Sequence, residues 1–209
     1  MSEVVLYDYW RSSAAYRVRI ALNLKGVAYR SVPIDLGAGA QGSADYKALN
    51  PQGLVPALAI DGLLLTQSLA IIDYLDANYN DPPMVSSDPA SRSRTLAQAL
   101  IIAADIHPIN NLRVLNYLRR ELGQGEDAVN GWYRHWIAEG LAALELQAPG
   151  HGLFGGAQPN MADVCLVPQL ANARRFDQPL GAYPKLVAID AALRSLPAFA
   201  AAAPEAVKN

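Results

Sequence analysis

An α/β domain followed by an all-helical domain is the fold class that this chain of 209 residues predicts, on three observations. Strand and helix patterns alternate as far as residue 81. A cluster of turn formers, Asn80-Asp81-Pro82-Pro83-Met84-Val85-Ser86-Ser87-Asp88-Pro89, then interrupts the pattern. Only helical periodicity follows. The expected organisation is therefore an N-terminal domain at 1–81, a linker at 82–89 and a helical domain at 90–209.

Val4-Val5-Leu6-Tyr7 reads as a first strand, and Tyr16 to Lys25 as a helix stopped by Gly26. The polar loop Trp10-Arg11-Ser12-Ser13 lies between them, so both serines stand at a helix N-terminus. Unpaired amides and the positive dipole end there favour an anion, including a thiolate; a plain helix cap is the alternative. Ala28-Tyr29-Arg30-Ser31-Val32 is a second strand, reached by a crossover that implies a parallel neighbour. Ala57-Leu58-Ala59-Ile60, the turn Asp61-Gly62 and Leu63-Leu64-Leu65 form a hairpin.

Asn50-Pro51-Gln52-Gly53-Leu54-Val55-Pro56 precedes that hairpin. Pro56 forces Val55 extended, and a cis bond between them would leave the Val55 amide and carbonyl free to pair with an extended peptide, a small thiol peptide being the natural candidate. An ordinary trans proline opening a strand is the alternative. Gln67-Ser68 stands at or near the start of a helix whose apolar stripe is Leu69, Ile72 and Leu75.

Past the linker, Arg92 to Leu122 reads as one or two long helices, bent at Pro108. On a straight helix His107 and Asn111 share a face, with Arg113 roughly 120° away from His107. Asn110 is a candidate cap for the bend. Asn160 with Asp163 three residues on is a helix start, and Tyr183-Pro184 opens another.

These residues resemble a family. Trp10-Arg11-Ser12-Ser13 with Arg17-Val18-Arg19-Ile20-Ala21-Leu22, the Asn50–Pro56 motif, Gln67-Ser68-Leu69-Ala70-Ile71-Ile72, Asp105-Ile106-His107-Pro108-Ile109-Asn110-Asn111 and Ala173-Arg174-Arg175-Phe176 are similar to the zeta class of glutathione transferases. That class includes maleylacetoacetate and maleylpyruvate isomerases, and the His-Pro and Arg-Phe segments look most like the maleylpyruvate branch. The resemblance implies a thioredoxin-like glutathione-binding domain with an all-α substrate-binding domain, and a homodimer.

It also implies roles. Ser12 is the expected donor to the glutathione thiolate, with Ser13 and Arg11 as competitors. Val55 pairs with the peptide backbone, Gln67 and Ser68 bind the γ-glutamyl carboxylate, Gln52 and His107 reach the glycyl end or carboxylates, a bend histidine bonding a carbonyl being the alternative for His107, and Asp105 meets the amino group, from its own or a partner subunit. Asn111 is a further glutathione contact. Arg11, Arg113 and Arg175 match positions that bind substrate carboxylates, for which a guanidinium fork suits a dicarboxylate. Arg174 is expected to face water. The implied reaction is cis–trans isomerisation of a maleyl keto acid to its fumaryl form, by thiolate addition, bond rotation and elimination. A general transferase conjugating halogenated or aromatic electrophiles, and a non-enzymatic glutathione-binding protein, stay open beside it.

One departure stands out: the zeta pattern usually has cysteine where this chain has Ala14. The single cysteine, Cys165, lies in an apolar helical run typical of a buried inert thiol, so thiol–disulfide exchange on the protein is not expected. A net charge of −2 offers no broad field for nucleic acid. With 52% hydrophobic and 17% charged residues the chain can bury a sizeable core, and no apolar run approaches membrane-spanning length. Met1-Ser2-Glu3 shows no start of a targeting segment, so a cytoplasmic protein is expected. His107, His135 and His151 are too scattered for metal-ligand spacing.

Overall fold

The computed structural model describes residues 3–79 and 81–208; the readings that involve Met1, Ser2 and Asn80 lie outside the described residues. The chain divides into two compact units, Met1–Pro83 with Ser195–Asn209, and Met84–Arg194.

Unit 1 holds β1 (Val5–Asp8), α1 (Ser13–Leu24), β2 (Arg30–Pro33), a 3-10 turn (Ala40–Gly42), α2 (Ala44–Leu49), β3 (Ala57–Ile60), β4 (Leu63–Thr66) and α3 (Ser68–Asn78). The sheet order is β2-β1-β3-β4, with β1 parallel to β2 and antiparallel to β3. The parallel neighbour expected from the crossover is thus present. Asp61 and Gly62 take φ of 52° and 77°, and the two-residue turn pairs Ile60 with Leu63, the turn geometry whose twist matches that of the strands. Leu6, Ile20, Leu22, Leu58, Ile71, Ile72 and Leu75 are fully buried. Ile71 rather than Leu69 completes the apolar stripe of α3, because that helix packs on α1 as well as beneath the sheet and buries two adjacent isoleucines.

Residues from 195 on belong to this unit, although the sequence groups everything from 90 to 209 in the helical domain. The physical reason is α1. Arg19 Nε donates to the carbonyl of Ala202 at 2.9 Å and Asn23 Nδ2 to that of Ala198 at 2.9 Å, so α9 (Pro197–Ala202) is tied to α1. The short α10 (Pro204–Val207) follows it.

Unit 2 contains α4 (Pro89–Leu100), α5 (Leu112–Arg120), α6 (Glu126–Gln147), α7 (Met161–Arg175) and α8 (Pro184–Arg194). Helix α7 is buried along most of its length and forms the centre of the core with Ile102, Ile137, Leu141 and Leu144. Cys165 is within it and buried.

Of the one or two long helices expected over Arg92 to Leu122, two form, and the chain breaks at Pro108 instead of bending within one helix. After α4 the chain widens into a π-helical segment, Ile101–Ile106, closed by the His107 amide on the Ile102 carbonyl at 2.9 Å. Pro108 has no amide to continue the ladder, and the chain turns through 107–110 and restarts at Leu112. Asn111, not Asn110, is the cap, its Oδ1 accepting the Arg113 amide at 3.1 Å. His107 and Asn111 therefore share no helix face. Asn160 and Asp163 do form the reciprocal cap expected of them, and Pro184 opens α8. Among the described residues no helix is long and apolar enough to cross a membrane.

Candidate functional site

The N-terminus of α1 is built from both sides. Ser12 is its cap, with extended backbone at φ −69° and ψ 118°, and its Oγ accepts the Ala15 amide at 3.2 Å. That bond uses an oxygen lone pair and leaves the hydroxyl proton to donate elsewhere. Ser13 is the first helical residue and is buried. The loop ahead of them is held by Arg19, which is fully buried: its guanidinium donates to both Asp8 carboxylate oxygens at 2.7 and 2.8 Å and to the Trp10 carbonyl at 3.1 Å. Arg11 is exposed, lying over the Trp10 ring at 4.8 Å and donating to the Tyr9 hydroxyl at 3.2 Å. Ala14, where the family pattern has cysteine, points into the core.

The proline loop is fixed by groups that sequence reasoning passed over. Buried Asn50 donates through Nδ2 to the Leu54 carbonyl at 2.8 Å and accepts the Gln52 amide through Oδ1 at 3.1 Å. Tyr46 donates its hydroxyl to the same Leu54 carbonyl at 2.7 Å, and burial pushes that phenol up to about 12, so it stays a donor. Gly53 has φ 61°, and a Cβ there would meet the Gln41 carbonyl oxygen at 2.9 Å, so both backbone angle and space demand glycine. The Val55–Pro56 bond is cis. Among the described residues neither the amide nor the carbonyl of Val55 enters a main-chain hydrogen bond, which leaves both for an extended peptide.

Gln67 links this loop to α3. Its Nε2 donates to Gln52 Oε1 at 2.7 Å, and its backbone takes φ 69°, a left-handed value that a non-glycine side chain resists. Strain of this kind concentrates at functional positions. Ser68 is the first residue of α3, and its Oγ accepts from Arg17 at 3.3 Å. Arg17 is a buried guanidinium on the apolar helix α1. A cation beside the positive end of an eleven-residue helix makes this an anion-favouring place, and the carboxylate end of a peptide fits it.

In unit 2 the remaining sequence-derived residues are distributed over three elements. Asp105 is exposed in the π-helical segment, His107 closes it, Asn111 caps α5 and Arg113 is exposed in the first turn of α5. Helix α6 holds the turn between them: Trp132 Nε1 donates to the Ile109 carbonyl at 3.0 Å and Asn110 Nδ2 to the Tyr133 carbonyl at 3.2 Å. Gly140 lets Ile106 pack on the same helix, since a Cβ there would lie 2.3 Å from the isoleucine. Arg175 sits apart on the last turn of α7, donating to Asn172 Oδ1 and lying over the Phe176 ring at 4.8 Å.

Arg174 is exposed, as expected, and in addition donates to Asp190, an acid buried on α8, with Arg194 4.0 Å from the same carboxylate. Burial raises the Asp190 carboxyl and the Arg174 hydrogen bond and charge oppose that. The pair joins α7 to α8, a structural task that leaves Arg175 as the one of the two with no carboxylate partner among the described residues. Charged residues inside the apolar pattern of α1 were the available signal for Arg17 and Arg19; no local pattern pointed to Asn172 or Tyr133. Among the described residues no group of three or more His, Cys, Asp or Glu is placed to hold a metal ion.

Residues 2–77 match the Glutathione S-transferase N-terminal domain family. The whole chain is similar to maleylacetoacetate isomerase of Rhizobium meliloti, at 52% identity over 210 residues that cover 99% of each chain. It superposes with a TM-score of 0.95 on the holo structure of a bacterial zeta-class maleylpyruvate isomerase, at 45% identity, covering 98% of this chain and 99% of that one. A maleylacetoacetate isomerase of Methylobacterium extorquens AM1, described with bound malonate and GSH, gives a TM-score of 0.93 at 38% identity over 97% of each chain. The similarity reaches enzymes named for both keto acids. Its full-length extent shows that the chain belongs to the zeta class of glutathione transferases, the family of the maleylacetoacetate and maleylpyruvate isomerases.

Proposed function

We propose that this enzyme catalyses the glutathione-dependent cis–trans isomerisation of a maleyl keto acid, maleylpyruvate or maleylacetoacetate, to its fumaryl form. The observation that carries the reading is the full-length similarity to an isomerase described with GSH and malonate, a thiol peptide and a small dicarboxylate, bound together. Glutathione, when bound, supplies the sulfur that adds reversibly to the conjugated double bond and so frees rotation about it. Val55 offers the peptide a main-chain amide and carbonyl, and Ser68 at the head of α3, with Arg17 behind it, suits the γ-glutamyl carboxylate. Gln67 and Gln52 flank that position. The Ser12 hydroxyl, its lone pair engaged by Ala15 and its proton uncommitted, donates to the thiolate and with the helix end lowers the thiol pKa. Ser13 and Arg11 are its competitors for that role.

His107, Asn111 and Asp105 are proposed as further glutathione contacts, and Arg11, Arg113 and Arg175 as the groups that bind the carboxylates of the substrate. The position of Arg113 supports this. A cation in the first turn of a helix opposes the dipole, so Arg113 is not there to stabilise α5. A homodimer, a cytoplasmic location and a place in the breakdown of aromatic compounds are the further parts of the proposal, resting on the family resemblance; the solution mass tests the first.

Purified protein is mixed with maleylpyruvate with and without glutathione while the cis keto-enoate absorbance is followed and the product identified. Glutathione-dependent formation of fumarylpyruvate with no loss of glutathione is expected. No turnover of maleylpyruvate or maleylacetoacetate, with glutathione still bound, overturns the reading in favour of a conjugating transferase. That alternative uses the same thiolate but not the arginines, so retained conjugation with isomerisation weakened through a raised keto-acid KM in Arg11→Ala and Arg175→Ala separates the two activities.

A further inference from the structure

We infer that Asn172 and Tyr133 are positioning residues that hold the Arg175 guanidinium in a fixed orientation for a substrate carboxylate. The inference rests on the carboxylate-binding role proposed for Arg175.

An arginine exposed at the end of a helix ordinarily samples many rotamers. Arg175 is exposed yet held on two sides: its Nη2 donates to Asn172 Oδ1, and its guanidinium lies 4.8 Å from the centre of the Phe176 ring. Neither support is itself loose. Phe176 stacks on Tyr133 with ring centres 3.6 Å apart and planes 14° from parallel, and its amide is bonded to the carbonyls of Asn172 and Ala173. Asn172 is buried, and its other end, Nδ2, donates to the Tyr133 hydroxyl.

The direction of this chain is fixed by chemistry. Arginine has donors only, so the Asn172 carbonyl oxygen must face Arg175 and its amino group must face Tyr133, where the phenol oxygen accepts. Burial raises the Tyr133 phenol, and the charge and hydrogen bond of Arg175 oppose that, which is consistent with a neutral hydroxyl close to the guanidinium. Tyr133 is anchored in turn on α6, where its carbonyl accepts from Asn110 in the turn that carries His107 and Asn111. One buried residue therefore sets both the arginine and that turn. With its rotamer settled beforehand, the guanidinium loses little freedom when a carboxylate arrives, which strengthens binding without any contact between Asn172 and the substrate.

The test is steady-state kinetics with maleylpyruvate at saturating glutathione, on Arg175→Ala, Asn172→Ala, Tyr133→Phe and the Asn172→Ala/Arg175→Ala double variant. Arg175→Ala is expected to raise KM for the keto acid about 100-fold, Asn172→Ala about tenfold and Tyr133→Phe about threefold, with kcat and the glutathione KM within about twofold of wild type. The double variant should match Arg175→Ala alone, because without the guanidinium there is nothing left to orient. Multiplying effects in the double variant, or a loss of kcat with both KM values raised alike, would mark Asn172 as a fold residue and overturn the inference. An unchanged KM in Arg175→Ala removes the carboxylate role itself, and the inference falls with it. Should Asn172→Ala not fold, Tyr133→Phe carries the test, since it keeps the stacked ring and removes only the acceptor oxygen.

Discussion

In unit 1 the buried Asp8 lies against the guanidinium of Arg19, whereas in unit 2 the buried Asp163 meets no cation among the described residues and is ringed by the amides of Phe154, Gly155 and Asn160 at 2.9 to 3.0 Å. Asp8 ties the end of β1 to the middle of α1, and Asp163 ties a loop to the start of α7. The first does so with charge, the second with main-chain dipoles. Burial accordingly pushes the Asp163 carboxyl up to about 6 despite three hydrogen bonds that favour its ionised form. The difference extends to recognition. Unit 1 presents a helix cap, the free main chain of Val55 and a helix start, while the groups unit 2 contributes to the proposal are side chains whose aim depends on neighbours. A main-chain site is set by backbone conformation; a side-chain site is set by packing.

Removing the cation should give the largest effect. Arg19→Met leaves Asp8 buried without its partner and frees the Trp10 and Ala202 carbonyls, so about 4 kcal/mol of stability should be lost, read from urea unfolding. A loss under about 1 kcal/mol would mean that the charge pairing is not what holds unit 1.

Asp163 gives the matching test in unit 2. With a carboxyl pKa of about 6 when folded against an ordinary 3.8, the folded protein keeps between those pH values a proton that the unfolded chain releases. Its contribution is fully present below the unfolded value and is lost as pH rises through the folded one. Measured against Asp163→Asn, wild-type stability should fall by up to about 3 kcal/mol between about pH 4 and pH 6, at about 1.4 kcal/mol per unit, and then level off. A difference that does not vary over that window would place the two aspartates in the same class after all.

Ser12→Ala sharpens the account of recognition in unit 1. The cap bond to Ala15 should be worth about 1 kcal/mol of stability, whereas loss of the thiolate donor should lower kcat about 100-fold. The ultraviolet thiolate signal of bound glutathione at neutral pH should fall with it; an unchanged signal transfers the role to Ser13 or Arg11.

Gln67→Gly is the smallest change and the most diagnostic. Relief of the φ 69° backbone should raise stability by about 1 kcal/mol, while glutathione affinity drops about fivefold with the side chain gone. If affinity is kept, the strained residue serves the fold alone.

Much of unit 1 was legible along the chain because its signals are local. A two-residue turn in Asp61-Gly62, a cap serine before α1, a proline ahead of a strand and Gln67-Ser68 at a helix start all express backbone preferences of neighbouring residues, and each appears where it was expected. The Asn160 and Asp163 cap is legible for the same reason. The segment after Leu100 was not. A π-helical widening and a turn at Pro108 differ from a bent α-helix by a shift of one hydrogen-bond partner, and that choice is made by α6, whose Gly140, Trp132 and Tyr133 receive the segment from a place distant in the chain.

Arg174 and Arg175 make the same point at single-residue scale. Adjacent and chemically identical, they are separated only by what each finds: Asp190 on α8 for one, Asn172 and the Phe176 ring for the other. The sequence alone determined the strand, helix, strand and hairpin order of unit 1, the caps of α1 and α7, the hairpin turn, and the family to which the chain belongs, since these follow from short-range conformational preference and from motifs read as a set. Only the tertiary structure decided that the C-terminal helix joins α1, that the chain restarts at Leu112, and which partner holds each of the two adjacent arginines. Those outcomes depend on contacts between residues far apart in the chain, where no local preference outweighs the partner that packing supplies.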